Sequence, residues 1–389
     1  MKEYRLAKGW AWFLYLVGPP IIVLFGWLLT IPFEKEEPEW GTFFILTPIA
    51  LGMIALFVLA FIDVRKGKFV IDQDRVYSIS VFGNRSLLLE EIKGYRTDDK
   101  YIYIEPKEKG KRKVKISNYY SKTEEIIEWL DMYYPDLNAL AVQEEEAAIL
   151  QDVELGRTVE EREEKLNFAR KMATGLNIAG GIVAAWGIFW PQPYEYAMLA
   201  SVLVFAIVVA ALKFYGKLIR IGFSNTTAYP SPAFGFLGPA SALGIRALFD
   251  YELYDYTPLW TIFLVSTLLL TIILLIGSKE FTFKKSTDYW MCLVFLLFAA
   301  EFSYGSIVFV NCYYDSSEFN TYTATIEDKR ISSGKHTTYY LELSPWATRT
   351  SPEEVSVSKE MYEAVETNDE VDVYLGKGEL GIPWFYVSN

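Results

Sequence analysis

The chain has 389 residues, of which 52% are hydrophobic, 16% aromatic and 22% charged, with a net charge of −12 at pH 7. That balance is too apolar for an ordinary soluble enzyme and too charged for a bare bundle of membrane helices, so it calls for several spans joined to water-exposed units. The acidity argues against nucleic acid as a partner, and one histidine with two cysteines, Cys292 and Cys312 on one apolar run, offers no disulfide framework, zinc spacing or cofactor motif.

A basic leader (Lys2, Arg5, Lys8) opens into an apolar run, 10–33, interrupted by Gly18-Pro19-Pro20. The run is too long for a signal peptide and lacks a small-x-small cleavage site, so it reads as a kinked membrane helix. An acidic connection (Glu34, Glu36, Glu37, Glu39) precedes a second run, 42–62, which ends on Arg65, Lys66 and Lys68. Basic ends and an acidic loop make residues 1–62 a transmembrane hairpin with its N-terminus in the cytoplasm.

Residues 63–137 then alternate with period two. Strands are expected at 68–71, 75–81, 86–89, 92–96, 100–104 and 113–117, with a hairpin signal at Gly83-Asn84. An amphipathic helix follows, from a capping box at Ser121-x-x-Glu124, through Ile126, Ile127, Leu130 and Tyr134, to Pro135. Strands in hairpin order sealed by one C-terminal helix resemble the bacterial pleckstrin-homology-like (PH-like) domain, here of the membrane-flanked type. The resemblance covers about 70 residues and rests on strand order, not on a motif. It implies a bent sheet closed by the helix, in a membrane-proximal or self-associating scaffold of a bacterial plasma membrane. It brings no phosphoinositide signature with it.

Residues 138–171 form a charged helical connector, with a second capping box at Thr158-x-x-Glu161 and a helix continuing into a third span, 172–190. Gly180 with Ala184, and Gly181 with Ala185, supply small residues for close packing in lipid. Span four, 196–212, returns the chain to Lys213, Lys217 and Arg220. The stretch 229–250 is apolar but carries Pro230, Pro232, Gly235, Gly238 and Pro239, and reads as a broken segment, re-entrant or crossing. Clear spans follow at 259–276 and 289–310, completing a bundle over 172–315. If 229–250 crosses, the chain has seven spans, Lys279, Lys284 and Lys285 fall inside, and the C-terminus lies outside. If it does not, there are six spans and those lysines offend the positive-inside rule. Charge favours seven, whereas the Pro and Gly content favours six.

Residues 320–389 are a second soluble unit: three strands, a helix capped by Ser358, then two strands. That order is similar to an OB-fold-like small β-barrel in topology alone, and its acidity again speaks against nucleic acid.

Three features are candidates for chemistry. Glu301 lies mid-span, where an ionised carboxylate costs at least ~2.5 kcal/mol, and Arg246 is its evident counter-charge. The pair reads as a structural ion pair or as part of a proton or ion path, the structural reading being the plainer. The basic turn Lys107, Lys109, Lys111, Arg112, Lys113 and Lys115 suits anionic headgroups, each charge contributing about 1 kcal/mol near a surface. Trp346, Trp384, Phe385 and Tyr386 are either barrel core or a binding face, and His336 sits in a hairpin without a catalytic partner. The expectation is a polytopic α-helical plasma-membrane protein of six or seven spans, with an inserted PH-like α+β domain and a C-terminal small β-barrel. It would act as a non-enzymatic interaction or scaffold protein, with the lipid bilayer, anionic headgroups, a protein partner or a second copy as its partners. The alternative is a transporter or transporter accessory using Glu301 and the broken segment 230–239.

Overall fold

The first strand lies ahead of the first membrane helix. In the computed structural model, which describes residues 1–33, 40–222, 226–276, 286–333 and 337–388, β1 (Lys2–Tyr4) pairs antiparallel with β2 (Lys68–Ile71), Tyr4 opposite Phe69. Between them run α1 (Lys8–Leu28) and α2 (Trp40–Lys66), so the hairpin is spliced between two neighbouring strands. β3 (Arg75–Ile79) and β4 (Arg85–Leu88) complete a four-stranded sheet in the order β1-β2-β3-β4. β5 (Ile92–Thr97), β6 (Tyr101–Pro106) and β7 (Val114–Ser117) form a three-stranded one.

The period-two pattern sends Phe69, Val76, Leu87, Ile92, Ile102, Ile104, Val114 and Ile116 into one core. α3 (Thr123–Tyr133) closes that core with Ile126 and Leu130. The capping box expected at Ser121 does not form. Lys122, at φ 59°, is the N-cap, and Ser121 donates both its backbone N–H and its hydroxyl to the Arg5 carbonyl. The segment ahead of α1 is therefore bonded to the loop before α3 as well as to β2.

Tyr4 is 3% exposed, its ring centroid 6.2 Å from that of Phe69. Tyr4→Ala is expected to cost about 3 kcal/mol, the range for emptying an aromatic site in a core. A 64–135 fragment, which lacks β1, should melt well below the same fragment with residues 1–7 joined by a short linker. Equal melting temperatures would show that β1 is no part of this fold.

α4 (Leu137–Gln151) leads away from the sandwich. The chain divides into two units, residues 1–148 with 226–228, and residues 149–225 with 229–389. In the second, α5 (Val159–Phe189) runs 31 residues without a break. Half of its expected capping box forms: the Thr158 hydroxyl accepts the Glu161 N–H, but the Glu161 carboxylate accepts the Arg157 N–H at 2.8 Å, one residue ahead of the N-cap. α6 (Tyr194–Phe214) and α7 (Ala233–Asp250) pack on it, α9 (Ser286–Tyr313) packs on α7, and α8 (Thr257–Leu275) packs on α9.

Of the segment 229–250 expected to be broken, residues 229–232 are non-helical and the rest is one continuous helix, α7, with Pro239 inside it and Phe236, Ala240, Ala242, Leu243 and Ala247 buried. It lies parallel to α5. Asn177 bonds the Ser231 carbonyl and the Gly235 N–H, Gly180 meets Gly235, Gly187 meets Ala242, and Arg246 reaches the Gly187 carbonyl. A Cβ at Gly180 would stand 2.5 Å from the Gly235 Cα, so the two backbones touch. Of the two small faces on α5, only that of Gly180 is used; a Cβ at Gly181 meets open space.

Among the described residues, six helices are long and apolar enough to cross a membrane: α1, α2, α5, α6, α8 and α9. They mark a multi-pass membrane protein. α7 has 18 residues, about 27 Å at 1.5 Å per residue, and is shielded by its neighbours. Gly235, Pro239 and Gly244 are among its buried residues, packed against neighbouring helices.

The C-terminal part is a curled sheet in the order β11-β10-β9-β12-β13-β8. Its elements are β8 (Glu252–Leu253), β9 (Asn320–Ser333), β10 (Thr337–Leu343), β11 (Glu353–Val357), α10 (Lys359–Ala364), β12 (Glu370–Gly376) and β13 (Trp384–Ser388). The expected closed barrel is a half-barrel. β13 gives its outer edge to β8, contributed by the α7–α8 connection, instead of closing on β11.

A latch holds this sheet to the end of α9. Asn311, 0% exposed, accepts the N–H groups of Leu380 and Ile382 and donates to the Ile382 carbonyl at 2.8 Å. Asp315 accepts from Ser317 N–H, Gly378 N–H and the Trp384 indole at 2.8–2.9 Å. The Tyr314 hydroxyl bonds Glu195 at the start of α6. The half-barrel thus sits where α5 ends and α6 begins, at the opposite end of the bundle from Lys213.

Burial pushes the Asp315 carboxyl up, but the hydrogen bonds from Ser317, Trp384 and Gly378 outweigh it and hold the carboxyl below its ordinary 3.8. A depressed carboxylate stabilises the fold above its unfolded value and loses that contribution as pH falls through the folded one. Latch stability is therefore expected to fall as pH drops below about 4, and Asp315→Asn should remove that part of the pH dependence. Acid titration of both proteins by tryptophan fluorescence checks it; parallel curves would contradict it.

Candidate functional site

The polar cavity of the first unit lies at the end where its strands meet the membrane hairpin. It measures about 430 Å³ and is walled by Asp63, Val64 and Gly67 at the end of α2, by Ser78, Ser80, Phe82 and Arg85 around the β3–β4 turn, and by Tyr101, Lys115, Ser117 and Tyr120. The register explains the gathering. β2 leaves α2, β3 returns to the same end (Lys68 opposite Ile79), and β6 pairs Tyr101 with Ser117 there. Asp63 accepts the Val81 N–H at 2.8 Å and so fixes the β3–β4 turn to the helix.

Two cations flank the space. Arg85 donates to the Lys113 carbonyl at 3.2 Å, and the Lys115 ammonium stands 3.4 Å over the Tyr101 ring. Burial, then the nearby Asp63 carboxylate, pushes the Tyr120 phenol up to about 12, so it remains a proton donor at neutral pH. Two cations, one carboxylate and several hydroxyls suit an anionic group that also carries hydrogen-bonding oxygens. Phe82 is 81% exposed at the tip of the turn, where Gly83 at φ +125° permits the reversal. Trp10, at the start of α1, packs edge-on to Tyr119 at 4.7 Å. Aromatic side chains are enriched where helices leave a bilayer.

The expected basic turn is elsewhere. β6 carries the chain from Tyr101 out to Pro106, so residues 107–112 lie at the far end of the hairpin, roughly 20 Å of strand from the cavity. Lys107 donates to the Glu90 carbonyl, and Lys111 pairs with Glu91 at 2.8 Å and Glu108 at 2.9 Å. The hydrogen bond from Lys111 is the main reason that Glu91 stays below the usual carboxylate range. Lys109 and Arg112 are exposed at that distal turn, and Lys113 lies over the Tyr103 ring. Of the six residues, only Lys115 lines the cavity. The sequence reading missed Arg85, Asp63 and Tyr101, which are remote in sequence; the legible sign was an apolar residue, Phe82, at a hairpin tip.

Arg246 and Glu301 do not pair among the described residues. Arg246 donates to the carbonyls of Gly187 and Ile188 and meets Asp250 at 3.3 Å. It therefore caps α5, whose last carbonyls have no partner within their own helix. Glu301 packs against Gly244 and hydrogen-bonds Ser241. Trp346 and Phe385 are core at 3% and 2% exposure, whereas Tyr386 is 43% exposed. The acidic connection Glu34, Glu36, Glu37 and Glu39, the lysines Lys279, Lys284 and Lys285, and His336 lie outside the described residues. Among the described residues, no group of three His, Cys, Asp or Glu is placed to hold a metal ion.

No family model matches the chain, and no curated protein or solved structure matches it.

Proposed function

We propose that this chain is a plasma-membrane interaction protein whose first unit is a PH-like domain, held against the cytoplasmic leaflet to engage an anionic headgroup in the Arg85–Lys115 cavity. Four strands and three strands closed by one helix support the PH-like reading. The observation that carries the function is the splice of the hairpin between β1 and β2. With both helix ends entering adjacent strands, the cavity mouth is held at headgroup level. Positive ends on α1 and α2 support the cytoplasmic side.

The same reading makes α7 a seventh crossing. It parallels α5, and the half-barrel sits at the end of the bundle remote from Lys213 and Lys217. No apolar run lies between α2 and α5. The continuity of α7 from Ala233 to Asp250 supports this reading over the transporter alternative, which uses Glu301 and the segment 230–239.

Native mass spectrometry of the full chain, released from vesicles of mixed zwitterionic and anionic lipid, tests the headgroup site. The wild type and a Lys109→Gln/Arg112→Gln control should retain anionic lipid to the same extent, and Arg85→Gln/Lys115→Gln should lose most of it. Equal retention by all three would overturn the reading.

A further inference from the structure

The outward face of β12 and β13 carries a run of aromatic rings that the half-barrel core does not use. Trp384, Tyr386 and Tyr374 share this face, Tyr374 being opposite Tyr386 in the register. Phe319 joins them at 5.7 Å from Trp384 and 5.6 Å from Tyr386, and Tyr374 stacks on Tyr386 at 5.1 Å. The run is anchored in the bundle, because Trp384 packs edge-on to Tyr251 at the C-cap of α7, 5.8 Å away. Beside it the 377–381 loop presents Lys377 next to a cavity of about 280 Å³, and Leu380, 38% exposed.

We infer that this face rests in the headgroup layer of the bilayer, so that the C-terminal unit lies on the membrane instead of standing free in water. The occupant follows from continuity. At the same end of the bundle Trp190, Tyr256 and Trp260 are exposed where α5 ends and α8 begins, and the aromatic run extends that belt onto the sheet. Tyr and Trp favour this layer because a flat apolar ring and a polar tip are both satisfied there. Lys377 at the same level, in a unit with a net negative charge, complements lipid phosphate. The opposite edge of the sheet, β10–β11, would then face water and any soluble partner.

The inference rests on the multi-pass reading, and the test separates the two. The full chain, with Cys292→Ser and buried Cys312 left in place, is reconstituted into nanodiscs with a single nitroxide at Thr321→Cys, Glu342→Cys or Leu264→Cys. Thr321 is exposed beside the aromatic run, opposite Tyr374, and Glu342 is exposed on β10. Leu264 lies on the exposed side of α8. Accessibility to oxygen relative to a water-soluble nickel complex is then measured by electron paramagnetic resonance. The ratio at 321 should stand severalfold above that at 342 and below that at 264, and Tyr374→Ser/Tyr386→Ser should lower it toward the value at 342. Equal ratios at 321 and 342, with a high ratio at 264, would overturn the inference alone; a low ratio at 264 would overturn the multi-pass reading itself.

Discussion

Gly180→Leu is expected to unseat α7 from α5 and to lower stability by about 3 kcal/mol, the upper part of the range for overpacking a tight contact. The position has no room: a Cβ there would lie 2.5 Å from the Gly235 Cα and 2.6 Å from the Phe234 carbonyl oxygen, both backbone atoms that cannot rotate aside. α7 also contacts α6 and α9, so its displacement would disturb the whole bundle. Gly181→Leu is the matched control, because a Cβ at 181 meets nothing within 4 Å, and it should shift stability by no more than about 0.5 kcal/mol. Thermal unfolding of the detergent-solubilised full chain checks both. Similar melting temperatures for the two variants would mean that α5 and α7 do not touch along this face.

Asn311→Leu should release the C-terminal latch. The substitution keeps the branched heavy-atom outline of the side chain but leaves the N–H groups of Leu380 and Ile382 and the Ile382 carbonyl without their partner. Each buried orphan costs about 1–3 kcal/mol, so a total of about 3–5 kcal/mol is expected after partial relaxation. Gly378 and Gly381, both at φ +75°, shape the loop that passes over the amide. The expected result is rapid proteolysis within 377–383 in the variant, at a protease dose that leaves the wild type intact. Equal resistance would show that the amide is not what holds the loop.

Much of this architecture could be read from periodicity. Alternation at 68–71, 75–81 and 100–104 located strands because one side chain in two had to be apolar, and the long runs located six helices because hydrocarbon demands them. β1 escaped because Lys2, Glu3 and Tyr4 offer one inward residue, and its partner β2 lies beyond a whole hairpin. α7 looked broken because Gly and Pro usually end helices, whereas here the glycines let backbones touch. Barrel closure was overestimated because a two-residue strand, Glu252–Leu253, leaves no trace in a pattern.

The candidate site was less legible for a different reason. Clustered charge in sequence suggested the Lys107–Arg112 turn, but the direction of the β6–β7 hairpin carries that turn away from the helices. Arg85 and Asp63 meet only through strand register. Arg246 was matched to Glu301 by sign alone, yet the bare carbonyls at the end of α5 make a nearer claim on a guanidinium. Opposite charges on a sequence do not reveal such backbone demands.

We propose that the chain crosses the membrane an odd number of times, with α7 among the crossings. Labelling single cysteines in intact cells with a membrane-impermeant thiol reagent tests it most directly, using Glu342→Cys in the half-barrel and Glu124→Cys on α3, in a Cys292→Ser background. The account predicts that position 342 reacts in intact cells while position 124 reacts only after lysis; both positions reacting together, from either side, would contradict it.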